Sequence, residues 1–227
     1  METSKLFKAR SSCLSDIMTD PRSKSESLSQ TCKTYVHDWI KELPEMYNRR
    51  IEVTNKYCDK GNQCEDYAID YASTVYGWGL VSKNEVSKED DHFTGTADLV
   101  LTNSIVDIKN SWSQKTFPLF DSEIPTKGYE MQGQAYMHLY NKELFQLVYC
   151  LSDAPEDIVE KEARSKMYQL GMSDLTVEFY MEVQKAMTYS DLTEFLRIKS
   201  YTVVRDREFI VKAQERVELI RNYIKTL

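Results

Sequence analysis

Residues 92–112 read HFTGTADLVLTNSIVDIKNSW, and this stretch decides the fold. Gly95 to Leu101 ends in an apolar run and reads as a strand. Thr102-Asn103-Ser104 is turn chemistry, because short polar side chains bond their own backbone there. Ile105-Val106-Asp107-Ile108-Lys109 alternates, so Val106 and Ile108 face one way and Ile105, Asp107 and Lys109 the other. Asp107 and Lys109 therefore share one face, and Asp98 reaches that face from the neighbouring strand. Two carboxylates and an ammonium on otherwise apolar strands are costly to bury without a purpose. A hard divalent cation such as magnesium supplies one, since it takes oxygen ligands and keeps several waters. A lysine beside it can orient the attacking water or stabilise charge building on a phosphate. The bland alternative is a surface hairpin with solvated charges.

The bulk numbers fit a soluble globular protein. The chain has 227 residues, of which 41% are hydrophobic and 29% charged, and one domain over 1–227 is expected. No apolar run reaches membrane-spanning length, and METSKLFKAR at the start lacks the apolar segment of a signal peptide. Five scattered cysteines, with no C-x-x-C pair, point to free thiols in a reducing, cytoplasmic setting and away from an iron–sulfur cluster. A net charge of −7 is not the footprint of a protein that coats DNA electrostatically. It is compatible with an enzyme that grips nucleic acid through a few local cations and binds metal with acidic groups.

Outward from the hairpin, periodicity predicts helices over residues 30–47, 60–76 and 127–140. A short serine-capped helix is expected at 13–18. Strands are expected near 80–87, 144–151 and 198–204, and an interrupted helical stretch over 156–196. A charged amphipathic helix runs over 208–227. Helices around a central mixed β-sheet give an α/β (α+β) class. His37, His92 and His138 share no ligand spacing, and neither a Ser-His-Asp arrangement nor a phosphate-cradling glycine loop is present.

Three further residues fit the same chemistry. Glu65 opens the second helix, where composition alone favours a solvated glutamate stabilised by the helix dipole. A helix packed on the sheet would instead deliver it as a further ligand. Gln132 and Tyr136 lie four apart on one helix face, either holding water and phosphate or forming an ordinary polar face.

Together these residues resemble the PD-(D/E)xK nuclease superfamily, and within it the lambda-type alkaline exonucleases of phage recombination. The matching pieces are Ala9-Arg10-Ser11-Ser12 with Pro21-Arg22-Ser23, Gly61-x-x-x-Glu65-x-x-Ala68, Thr96-Ala97-Asp98, Asp107-Ile108-Lys109 and Gln132-x-Gln134. Val203 to Glu208, followed by the last helix, completes the series. The resemblance implies a restriction-endonuclease-like core and Mg2+ (with Mn2+ substituting) held by Asp98, Asp107, the Ile108 carbonyl and Glu65. It makes Lys109 catalytic, with Gln132 or Gln134 in the water shell. It implies a substrate pocket of Lys5, Arg10, Ser12, Thr96 and Lys115, with Gln134 and Tyr136 nearby. The family favours arginine at two of the pocket positions, and the second core acid here is Asp107 where the lambda protein has glutamate. Residues 156–196 look like a helical insertion. The implied activity is 5′-to-3′ resection of linear double-stranded DNA, beside a single-strand annealing protein and with a homo-oligomer as one arrangement. A structure-specific or restriction-type endonuclease on the same core is the alternative.

Overall fold

The computed structural model describes residues 7–49 and 54–227. In chain order it has β1 (Ala9–Arg10), a 3-10 turn (Ser11–Cys13), α1 (Leu14–Ile17), α2 (Gln30–Lys41), α3 (Lys56–Gln63) and α4 (Glu65–Tyr76). Then come β2 (Lys88–Glu89), β3 (Phe93–Gly95), β4 (Leu99–Val100), β5 (Ser104–Asn110), α5 (Lys127–Leu139) and β6 (Leu144–Cys150). The chain ends with α6 (Glu156–Gln169), α7 (Val177–Ala186), a 3-10 turn (Glu194–Leu196), β7 (Ile198–Val204) and α8 (Arg207–Ile224).

The sheet that carries the hairpin has four strands in the order β4-β5-β6-β7. β5 runs parallel to β6, and the outer pairs are antiparallel, so the sheet is mixed. A smaller sheet of order β1-β3-β2 lies beside it. The alternation in β5 is realised on both faces. Val106 and Ile108 pack with Ala68, Ile69 and Ala72 of α4. Ile105 packs with Tyr136 and Met137 of α5 and with Phe145 and Leu147 of β6. The mixed α/β class is thus the observed one.

Several local expectations are corrected. The strand expected over 95–101 is split into β3 and β4, because the Asp98 carboxylate leaves the strand to accept the Ile108 N–H at 2.7 Å. That bond satisfies a β5 donor that β4 would otherwise have paired. The strand expected near 80–87 is irregular and only β2 follows it. The Asn84 side chain binds Ala97 and Val86 carbonyls one by one in place of a ladder. The helix expected over 60–76 divides at Cys64, so Glu65 begins a new helix and is not buried inside a long one. Neither N-terminal turn has a serine cap. Ser11 spends its hydroxyl on the Thr94 carbonyl at 3.0 Å, tying β1 to β3. All five cysteines are free thiols. No described helix is long and apolar enough to cross a membrane.

Candidate active site

A cleft of about 650 Å3 opens where β4, β5 and the start of α4 meet, lined among others by Glu65, Asp98, Ile108, Lys109, Lys115 and Tyr129. β5 presents Asp107 and Lys109 on its α5-facing side, and the lysine Nζ stands 2.7 Å from Asp107 Oδ2. Asp107 is 2% exposed. Its Oδ1 receives the Gln132 amide at 3.3 Å, and Gln132 also donates to the Tyr136 hydroxyl at 2.9 Å. The i, i+4 spacing on α5 thus delivers a braced amide to the carboxylate.

The electrostatics follow from this packing. Burial and the nearby Asp107 charge push the Asp98 carboxyl up to about 7, against the opposing pull of the Ile108 N–H and Lys109. Burial acts to lower the Lys109 pKa, but Asp107 and Asp98 outweigh it and the net direction is upward, so the ammonium stays charged. Burial and the Asp107 charge push Tyr136 up, so its hydroxyl remains protonated. Lys109 also sits 5.0 Å from the centre of the Tyr129 ring, a cation–π contact that fixes the stem.

The donor set fits a hard cation. Asp107 Oδ2 is buried, and the polar group that meets it is the Lys109 ammonium at 2.7 Å. A buried carboxylate oxygen left in that state is a ready ligand. In an extended strand a residue's N–H and C=O leave by the same edge. The Ile108 N–H points at Asp98, so its carbonyl opens toward the same side. Among the described residues no three acidic, histidine or cysteine side chains already converge as a cage. Two carboxylates, a carbonyl and retained waters are nonetheless what magnesium commonly accepts. Glu65 is held away by Lys83, whose Nζ is 2.6 Å from Glu65 Oε2.

The other expected residues separate. Lys115 lines the cleft, whereas Arg10, Ser12 and Thr96 are not among the residues that line it. Lys5 lies outside the described residues. Gln134 is corrected from a substrate contact to a clamp. Its amide donates to the Val204 carbonyl at 2.9 Å and its oxygen accepts the Asp206 N–H at 2.7 Å, which joins β7 to α8. Tyr136 is 5% exposed, and its hydroxyl accepts from the Gln132 amide.

Sequence reasoning missed Tyr129, Lys83 and Lys60. Tyr129 was findable, since it lies three residues before Gln132 on the same helix face. Lys60 is wholly buried, its ammonium donating to the Ser111 and Trp112 carbonyls at 3.0 and 3.1 Å, which ties α3 to the end of β5. Burial lowers its pKa to about 8. A folded value below the unfolded one means the ammonium opposes folding fully below pH 8, and relief grows as pH rises toward 10.5. Denaturant midpoints of wild type and Lys60→Met at pH 7.5 and 9.5 should therefore show wild type gaining about 1–2 kcal/mol on the variant at the higher pH. A constant gap would mean that Lys60 is not buried as a cation.

A mixed α/β fold with this sheet is shared with solved exonucleases. The crystal structure of a phage related exonuclease from Haemophilus somnus 129PT matches with a TM-score of 0.78 and 26% identity, over 97% of this chain and 96% of that one. An alkaline exonuclease, LHK-Exo from Laribacter hongkongensis, matches in fold at TM-score 0.63 and 14% identity, over 99% of this chain and 94% of that one. The same enzyme in complex with dAMP gives 0.64 at 14% identity, over 98% and 90%. No protein-family model and no curated protein matches the sequence significantly.

Proposed function

We propose that this chain is a magnesium-dependent deoxyribonuclease of the PD-(D/E)xK kind, resecting linear duplex DNA from the 5′ end. The observation that carries the reading is the buried Asp107 carboxylate paired at 2.7 Å with Lys109, which with Asp98 lines the cleft. The likeness in fold to a phage related exonuclease supports it. Asp98, Asp107 and the Ile108 carbonyl would hold the metal, with Glu65 as a further ligand. When bound there, a divalent ion would supply a water of lowered pKa and offset charge developing at phosphorus. Gln132, braced by Tyr136, keeps the Asp107 carboxylate oriented. Lys109, held 2.7 Å from Asp107, donates hydrogen bonds to the attacking water or to a phosphate oxygen. Lys115, exposed on the cleft rim, meets the 5′ end as a point charge without an arginine's fork.

The test is digestion of linear duplex carrying a 5′-phosphate or a 5′-hydroxyl, with Mg2+ or EDTA, beside a covalently closed circle. Metal-dependent loss of the linear forms alone is expected, faster with the 5′-phosphate. Release of nucleotides from the 3′ end would overturn the polarity, and cutting of the circle would replace the exonuclease by an endonuclease on the same core.

A further inference from the structure

Residues 77–87 leave α4 through Gly77 and Gly79, both left-handed with φ of +66° and +78°. They then settle against the site. The Asn84 N–H donates to the Asp98 carbonyl at 2.7 Å, and the Asn84 amide donates to the Ala97 carbonyl at 2.9 Å. Lys83 is therefore one residue from a clamp on the segment that carries Asp98. Its ammonium reaches Glu65, and Glu65 and Asp98 line the same cleft. Three carboxylates, Glu65, Asp98 and Asp107, thus face two ammoniums, Lys83 and Lys109, each paired with one acid. A divalent cation added with both ammoniums in place would put like charges within a few ångströms in a partly desolvated site, which is unfavourable. One ammonium must yield. Lys83 is the freer, with 43% of its side chain exposed against 27% for Lys109. Its stem also stands on an irregular, exposed segment.

We propose that Lys83 exchanges partners: it holds Glu65 while the site is empty of metal and, once a divalent cation takes Glu65, turns its ammonium to a DNA phosphate. The inference rests on the reading of the cleft as a metal-dependent nuclease site. It makes Lys83 a competitor of the metal and a ligand of the substrate backbone, two effects of opposite sign from one side chain.

The test uses the full chain and needs no turnover. Mn2+ binding is measured by calorimetry without DNA. Binding of a duplex with hydrolysis-resistant terminal phosphorothioates is measured by fluorescence anisotropy in Mn2+ across a salt series. Lys83→Met should bind Mn2+ about 3–10-fold more tightly, since the competing charge is gone. It should bind the duplex about 5–10-fold more weakly, with the salt slope reduced by about one. Lys83→Arg, which keeps the charge, should restore duplex binding. Unchanged Mn2+ affinity or unchanged duplex affinity in Lys83→Met overturns the exchange while leaving the nuclease reading in place. A wild-type protein that takes up no Mn2+ overturns the nuclease reading itself, and the exchange with it.

Discussion

Asp107→Asn is expected to lower the rate of duplex hydrolysis by about 10³-fold or more while the protein keeps its fold. Asparagine is nearly the same size, and its Oδ1 still accepts the Gln132 amide that fixes the side chain. What disappears is the anionic Oδ2, the buried atom that pairs with Lys109. Removing it strands Lys109 without its nearest counter-ion but also relieves a desolvated charge, and these effects oppose each other. The melting temperature in EDTA should therefore move by no more than a few degrees. Wild type should be stabilised by added Mg2+ or Mn2+, because a ligand that binds only the folded state shifts unfolding by mass action. Asp107→Asn should lose that stabilisation. Hydrolysis at the wild-type rate in the variant would make Asp107 and Lys109 a buried structural ion pair of no chemical consequence. Asp107→Ala is the harsher change, since it also leaves the Gln132 amide facing a void.

The hairpin shows which parts of such a site are written in the sequence. Period-two alternation in β5 placed Asp107 and Lys109 on one face, and they meet there. The same alternation assigned Val106 and Ile108 to the opposite layer, where they pack on α4. Asp98 was found, but its backbone was misread. Apolar neighbours suggest a continuous strand, whereas the carboxylate breaks the strand to bind the Ile108 N–H. That is a side chain standing in for a ladder acceptor, and periodicity carries no signal for it. Gln132 and Gln134 were equivalent by composition. Only the helix direction separates them, and two residues of rotation send one to Asp107 and the other to the β7–α8 junction. Lys83 was illegible because its partner lies 18 residues away across an irregular segment, where no repeat ties charge to geometry.

Gly133→Ala is expected to destabilise the protein by about 1–3 kcal/mol or more and to impair hydrolysis without touching any charged group. Glycine inside a helix ordinarily costs about 1 kcal/mol relative to alanine, so its retention in α5 needs a reason. The reason is close approach. A Cβ on Gly133 would press into the Phe145 ring, meeting Cε1 and Cγ at 2.5 Å. Phe145 is fully buried on β6 and enclosed by Ile105, Met137 and Leu147, so the ring has nowhere to go. The helix must move outward instead. Melting should fall by about 2–4 °C for each kcal/mol lost in a chain of this size. The functional consequence follows from the neighbour in sequence. Gln132 reaches Asp107 across 3.3 Å, near the limit of a useful hydrogen bond, and an outward shift of even half an ångström breaks it. The loss should therefore show in kcat more than in KM, because the substrate's own contacts are not removed. Gly61→Ala is the matched control. Gly61 also lies within a helix, but a Cβ there meets nothing within 4 Å, so alanine should raise stability by about 0.5–1 kcal/mol. Melting curves in which both variants gain stability would mean that α5 does not pack as closely on β6 as the Phe145 ring requires. Gln132 would then owe its position to something other than this helix–sheet contact.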